Sequence, residues 1–479
     1  MSNYALKETL PDDRIFLLKF SELNERFDPL YIKAVENIKN NIESKAKYEC
    51  NKLIISCSIT RGRFGHRPRN DPEFYGGTYP FIQTGDIVKA SENYGKIEYT
   101  QTLNEKGLKT SKMFLPPQLL FTIAANIGDT AILDFPSCFP DSIVALTPHN
   151  SDELLLKYFD IYLKIIKIYI VELAPYSAQR NLNNRQLAQI PLITPPKEIQ
   201  LQIIELFYEA VNIKKQKEAE ANELIASIDD YLLNELGISL PEKDNSLESR
   251  IFITSLNKMK EKRFDSEYYQ TYYDEVSSAI IDGVYETNTM NNFLNFIESG
   301  SRPQGGVKNI NSGIFSIGGE HVNNKCEVGN GNPKFIPKEF HNKHLQTETQ
   351  LFDIILVKDG ATTGKVGIID NEDFVRQNVN EHVFLIRVDK TRMTPEFLTY
   401  ILFSQVGQIQ LNREITGATV TGLTKSSVKS IQIPSPALEK QKEISEHINK
   451  MRDEAKKLKE EANEIFEIAK REIEKLILG

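Results

Sequence analysis

No stretch of the 479-residue chain approaches the roughly 18 consecutive apolar residues that a membrane-spanning helix needs. The opening MSNYALKETLPDDRIF has no basic segment followed by an apolar one, the pattern of a secretory signal. A cytoplasmic protein without membrane contact is expected. Cysteine is scarce: Cys50, Cys57, Cys138 and Cys326 are dispersed, with neither metal-ligand spacing nor the density of a disulfide scaffold, so they read as reduced and structural. The seven histidines form no HExxH or other spaced pair suited to zinc. Low-complexity tracts are missing too. With 40% hydrophobic and 26% charged residues, the composition is that of a folded protein too long for a single core.

Catalytic signatures are also absent. An adenine methyltransferase needs a glycine-rich methionine-binding loop and an Asn-Pro-Pro-aromatic motif, and neither occurs. GATTGKV, residues 360–366, has too few residues between its glycines for a P-loop, and no Ser or Thr follows Lys365 to hold Mg²⁺. A nuclease needs clustered carboxylates around a metal. Asp353, Lys358 and Asp359 in LFDIILVKDG come nearest, but the matching LLFTIAANIG supplies none of them. Any chemistry is expected to belong to partners. The net charge of −8 gives no basic footprint overall, yet the charge is uneven. Lys197–Lys243 carries five Lys against ten Asp/Glu, whereas Asn51–Asn150 carries ten Lys/Arg against nine Asp/Glu.

What the chain does contain is a second copy of itself. Arg26-Phe27-Asp28 recurs as Arg263-Phe264-Asp265, GHRP at Gly65 as GSRP at Gly300, Gly85-Asp86 as Gly319-Glu320, and Gly128 near Gly364. The junction PYSAQRNLNNRQLAQIPLITPPKEIQLQII recurs 241 residues later, placing Leu182 on Leu423, Ile190 on Ile431, Pro195 on Pro436 and Gln200 on Gln441. Each copy begins with short apolar runs punctuated by Gly, Asn and Pro, which read as strands and turns. YPFIQTGDIV, QLLFTIAA and TAILDF in the first copy, and GIFSIGG, LFDIILV and KVGIID in the second, are the strand candidates. Helical patterns follow in LLLKYFDIYLKIIKIYIVELA and PEFLTYILFSQVGQIQLN.

After the prolines the period changes. Ile444, Ile448, Met451, Ala455, Leu458, Ala462, Ile465 and Ala469 step alternately by four and three, an a/d seam. Ile199, Ile203, Leu206, Ala210 and Ile213 begin a similar face, which slips at Lys217 and resumes at Ala221, Leu224, Ile228 and Leu232. Each stretch predicts a helix of about 40 residues, some 60 Å long. Such a helix cannot bury its own seam, so the two are expected to pack antiparallel, with one α+β globule at each end.

Two strand-rich globules, each followed by a long helix and each holding RFD, a GxRP turn, a Gly-Asp or Gly-Glu pair and a Gly-centred strand pair, resemble the specificity subunit of type I restriction-modification systems. The chain departs from many members in having no Trp. The resemblance implies an α+β fold of two pseudo-symmetric target recognition domains, 1–196 and 244–435, joined by two long antiparallel coiled-coil helices, 197–243 and 436–479. It implies that each domain reads one half of a bipartite duplex DNA target. The helices would dock methyltransferase subunits, two in number, and through them the restriction/translocase subunits. S-adenosylmethionine, ATP and Mg²⁺ would then be held by the partners and not by this chain.

Bases are read by Arg, Lys, Asn, Gln, Ser and Thr on loops carried by a rigid platform, while phosphate contacts fix position. In the first copy the candidates are Arg61, Arg63, His66, Arg67 and Arg69 in TRGRFGHRPRN, Gln83 and Thr84, and then Tyr176, Ser177, Gln179, Arg180, Asn181 and Asn183. In the second they are Ser301, Arg302, Gln304 and Lys308, then His321, Asn323, Asn324 and Lys325. Lys358, Thr362, Thr363 and Lys365 follow, and last Arg376, Gln377, Asn378 and Asn380. Two other functions fit the same pattern. One is a reader serving a fused nuclease-methyltransferase, distinguished by its neighbouring gene. The other is a scaffold with no DNA role, distinguished by the absence of salt-sensitive duplex binding.

Overall fold

The computed structural model describes residues 29–65, 71–174, 181–244, 246–254, 265–307, 310–416 and 422–478. The chain divides into two compact units after Glu218 and again after Leu458, so that the last residues return to the first unit. Lys197–Leu236 and Leu438–Ile477 are helices of 40 residues each, and both contribute one segment to each unit. The Arg26–Asp28 and Arg263-Phe264 landmarks lie outside the described residues.

In the first unit, β1 (Cys57–Arg61), β2 (Gln118–Thr122), β3 (Thr130–Leu133) and β4 (Ile143–Pro148) form an antiparallel sheet in the order β1-β4-β2-β3. Its central strands are buried on both faces, which is why their sequences are almost continuously apolar and not alternating. Leu119, Phe121, Val144 and Leu146 face helices, packing with Tyr158 and Tyr162. Leu120, Ala131 and Ala145 face the other way, toward Ile82, Phe114 and Phe139 beside a second sheet. That second sheet includes Tyr75–Phe81, and the strand reading of YPFIQTGDIV holds only for its first three residues, Tyr79–Phe81. Gln83 starts a helix, Thr84–Glu92, because the Asp86 carboxylate accepts the Gln83 N–H at 2.8 Å.

The second unit repeats this plan. β5 (Leu294–Ser299), β6 (Ile354–Val357), β7 (Val366–Ile368) and β8 (Val383–Val388) take the equivalent order β5-β8-β6-β7. Ile354, Leu356, Phe384 and Ile386 face helices, and Ile355, Val357, Val383 and Leu385 face a small sheet that contains Ile314–Ile317. In each unit the expected single helix is two: Leu156–Ile165 with Lys167–Glu172, and Pro395–Phe403 with Gln405–Glu414. The breaks fall at Ile166 and Ser404. Gly128 and Gly364 both lie in the left-handed region, at φ +88° and +91°, in the turns that join β2 to β3 and β6 to β7. The sequence match of Gly65 to Gly300 is displaced by three. Gly62 directly follows β1 as Gly300 follows β5, and a Cβ at either would lie within 2.6 Å of backbone carbonyls, at 139–140 or 379–380.

The repeated strand-proline-helix junction is built identically in both units. Pro191–Thr194 pairs antiparallel with Glu49–Lys52, and Gln432–Pro434 with Thr287–Thr289. Helix follows at once in both, since proline suits a helix start. Within the first unit Ile203, Phe207 and Ala210 share a core with Phe466, Ala469 and Ile473, and Lys217 pairs with Glu461 at 2.6 Å. Within the second, Ile228 and Leu232 share a core with Ile444 and Ile448, and Lys440 pairs with Glu235 at 2.7 Å. In both units residue numbers rise along one helix as they fall along the other, so the helices pack antiparallel. The seam differs from expectation in both helices: Phe207 and Val211 are buried where the expected Leu206 and Ile213 are half-buried. Phe466, not Ile465, is buried, because a helix of 3.6 residues per turn drifts from a strict heptad and the Tyr94 ring rewards the shift, 5.0 Å from Phe466.

Candidate nucleic-acid interface

In each unit one end of the main sheet collects polar loops. At this end of the first unit β1 and β2 finish and β4 starts, and Phe139–Ser142 is the backbone around which the candidates gather. The Gly62 N–H donates to Ile143 O at 2.9 Å, the Arg63 N–H to Phe139 O at 3.0 Å, and Arg61 Nε to Asp141 O. The Thr84 hydroxyl lies 3.2 Å from that of Ser142, and Gln83 bonds Gln101. Ile123 N–H donates to Ser142 O, and exposed Asn181 bridges to Ala124. Five expected readers therefore share one edge: Arg61, Arg63, Gln83, Thr84 and Asn181. Asn183 is spent on architecture: its Oδ1 accepts the Gln186 N–H at 2.9 Å and caps Asn184–Ala188, as Thr424 caps Lys425–Lys429 in the second unit. His66, Arg67, Arg69, Tyr176, Ser177, Gln179 and Arg180 lie outside the described residues, as does Lys308.

The equivalent edge of the second unit is organised around Val379–His382. The Ser299 hydroxyl donates to Glu381 O at 3.1 Å, the Lys358 N–H to His382 O at 3.0 Å, and the Leu423 N–H to Lys358 O at 2.7 Å. Ser301, Arg302, Lys358 and Thr362 meet here, Thr362 beside Gly319. Thr363 closes the β6–β7 turn on Gly360 O, and half-buried Lys365 leaves that turn. Gln304 is exposed farther along the loop after β5. Charge at this edge is matched internally: Arg302 Nε is 3.1 Å from Glu381, and His382 lies between Asp359 at 2.5 Å and Glu381 at 3.4 Å. Lys425 adds a pair with Glu298 at 2.6 Å. Asp359, Glu381 and His382 were not among the expected readers, since no local motif marks a carboxylate that answers a loop elsewhere in the chain.

Several expected readers of the second unit are placed otherwise. His321 is buried: its Nδ1 accepts the Gly318 N–H at 2.8 Å, and its Nε2 faces Asn332 O at 3.1 Å. Burial pushes the imidazole below its ordinary pKa. Asn378 is 1% exposed, accepting from the Thr347 hydroxyl and donating to His344 O. Asn380 accepts the His382 N–H, and Gln377 accepts the Phe315 N–H, so both brace the platform. Arg376 is exposed at the far end of the same segment, its N–H on Thr349 O. Asn323, Asn324 and Lys325 form an exposed loop beside the C-terminal helix, where Arg452 donates to Lys325 O. Asp353 and Asp359 do not cooperate. Asp353 is buried against Arg387 at 2.8 Å, where burial raises its carboxyl above the usual range despite the guanidinium. Among the described residues no group of three or more His, Cys, Asp or Glu could hold a metal ion. None of the described helices is long and apolar enough to cross a membrane.

Residues 57–223 and 283–466 both match the family described as "Type I restriction modification DNA specificity domain". The chain belongs to this family. Its first matched stretch begins at Cys57, the first residue of β1, so each matched stretch contains one main sheet, its polar edge and part of a long helix. The chain is 29% identical over 151 residues to the type I restriction enzyme MjaVIII specificity subunit of Methanocaldococcus jannaschii. That match covers 30% of this chain and spans about a third, 34%, of the relative's length. Among solved structures, a chain described under "complex assembly and conformational transition of the type I R-M system" aligns over 90% of this chain and 96% of its own. It is 12% identical with a TM-score of 0.55, and so has the same fold. The S subunit of a type I system from M. genitalium aligns over the same shares at 11% identity and a TM-score of 0.42.

Proposed function

We propose that this chain is the DNA-specificity subunit of a type I restriction-modification complex, with each unit reading one half of a bipartite duplex target. The observation that carries the reading is the sheet-end edge. One scaffold is built twice, with the same strand order and the same left-handed glycine turns, yet Arg61, Arg63 and Asn181 stand at one edge and Arg302, Lys358, Thr362 and His382 at the other. Rigid strand ends hold these groups in place, so those that reach base edges discriminate by about 1–3 kcal/mol per well-formed bidentate contact, and the others hold the backbone. Different side chains on one scaffold suit two different half-sites.

The chain supplies no catalysis in this scheme. Its paired helices dock methyltransferase subunits, two in number because the junction at each helix base is duplicated, and the restriction/translocase subunits attach through them. S-adenosylmethionine, ATP and Mg²⁺ are bound by those partners, and the complex works in the cytoplasm. Sequencing methylated DNA from cells that hold this chain and its partners tests the reading. Two short half-sites separated by a spacer of constant length and free sequence are expected. A continuous motif, or no motif, rejects it.

A further inference from the structure

The sheet-end edge of the first unit holds two like charges that no described residue pairs with. Phe64 forms an antiparallel bridge with Ser111, the Gly65 N–H donates to Thr110 O at 2.9 Å, and the Ser111 hydroxyl donates to Arg63 O at 2.6 Å. This register sets Arg63 opposite Lys112. Phe64 is 3% exposed and points inward, so alternation along both segments turns Arg63 and Lys112 outward on one face, where both are exposed. Neither forms an ion pair among the described residues. Glu73 pairs with Lys106, and Glu105 accepts the Tyr79 hydroxyl. The Lys112 ammonium lies 5.0 Å from the Phe114 ring centroid, which holds its stem along the surface.

Like charges directly opposite each other on a sheet face are destabilising. Here the repulsion is retained on the face that carries Arg61, Thr84 and Asn181, whereas the second unit places Glu381 and Asp359 among its cations. We propose that Arg63 and Lys112 are a clamp for one phosphate of the DNA backbone. The inference rests on the DNA-reading function proposed above and names the residues by which the first unit grips the duplex. A phosphate between them accepts hydrogen bonds from both and turns a repulsive pair into a bridged one. Arg63 then fixes the register of the unit on DNA, leaving base reading to its neighbours.

The test uses the full chain assembled with its partner subunits and a mixed-sequence DNA duplex, with binding followed over a salt series and thermal unfolding of the chain measured alongside. For Lys112→Gln, the plot of log affinity against log salt becomes shallower by about 0.9, the value for one lost phosphate contact. Its thermal midpoint stays level or rises, because the repulsion with Arg63 is gone. Lys112→Glu loses more affinity and gains more stability, since it pairs with Arg63. Lys338→Gln, a charge-matched change on the exposed helix Lys338–Asn342, keeps the wild-type slope. An unchanged slope in Lys112→Gln, an equal drop in Lys338→Gln, or a lowered midpoint in Lys112→Gln each overturns the clamp while DNA reading stands. No salt-dependent duplex binding by the wild-type complex overturns the function itself.

Discussion

Gln200 and Gln441 make the same three hydrogen bonds in two halves of one chain. Gln200 Oε1 accepts the Leu155 N–H at 2.9 Å, while its Nε2 donates to Glu153 O at 2.6 Å and Pro195 O at 2.8 Å. Gln441 Oε1 accepts the Thr394 N–H at 2.8 Å, while its Nε2 donates to Arg392 O at 3.0 Å and Pro436 O at 2.9 Å. Both side chains are fully buried. Each ties the first turn of a long helix to the loop that opens the helical layer and to the proline junction behind it. Only an amide of this length has the one acceptor and two donor hydrogens the site requires.

Replacing Gln200 with Leu is therefore expected to be costly out of proportion to its size. It leaves one N–H and two carbonyls without their partners, at about 1–3 kcal/mol for each of them that water cannot reach. A loss of at least about 2 kcal/mol in denaturant unfolding is expected, and the same for Gln441→Leu. A loss below about 0.5 kcal/mol, the range of an ordinary surface change, would show that the amide is not the tie described.

These glutamines also show why so much of the architecture was legible. A buried polar side chain with three obligatory partners leaves the same residue at the same spacing in both copies, and the 241-residue repeat of Leu182, Ile190, Pro195 and Gln200 is that constraint written out. The long helices were legible from their apolar period, and the strands from apolar runs bounded by glycine. The site was less so. Loops reveal composition, not direction, so buried Asn378 and His321 looked like exposed Arg302. Lys112 was invisible because its meaning comes from a cross-strand register with Arg63, 49 positions away. The helix at Thr84–Glu92 was misjudged because Gln83 is not a preferred cap, and it is Asp86 that starts the helix.

Ala221 is fully buried and packs with Ala455 and Leu458 where the two long helices approach within the second unit. Small residues on both sides leave no room for a larger one. Ala221→Phe should cost about 1–3 kcal/mol by overpacking, whereas Glu220→Leu on the exposed face should stay within about 0.5 kcal/mol. Thermal unfolding of the two variants side by side checks this. Equal behaviour would mean that the helices do not depend on contact at this level.

His321 should make the stability of the second unit depend on pH. Its Nδ1 accepts an N–H, so the buried ring must be neutral there, and burial lowers its pKa from the ordinary 6.5. A depressed folded pKa contributes stability that is present above 6.5 and lost as pH falls through the folded value. Unfolding midpoints measured from pH 8 downward, about one unit at a time, should therefore fall more in the wild type than in His321→Gln, which is less stable at neutral pH but lacks this titration. Parallel curves would place the pH dependence elsewhere.

Glu381 is expected to restrain DNA binding. It stands 3.1 Å from Arg302 and 3.4 Å from His382, at an edge whose other cations also have acidic partners. A carboxylate there repels backbone phosphate and holds Arg302 in one geometry, so contacts that survive are those to base edges, where an acid can accept from cytosine N4. Glu381→Gln keeps the shape and removes the charge. The stability cost should be small, about 0–1 kcal/mol for a largely solvated pair. Affinity for mixed-sequence duplex should rise, its salt slope should steepen by up to about 0.9 as Arg302 becomes free to take a phosphate, and discrimination at one half-site alone should weaken. A slope equal to or shallower than wild type would mean that Arg302 never reaches the backbone. The carboxylate would then be reading the DNA and not restraining its neighbour.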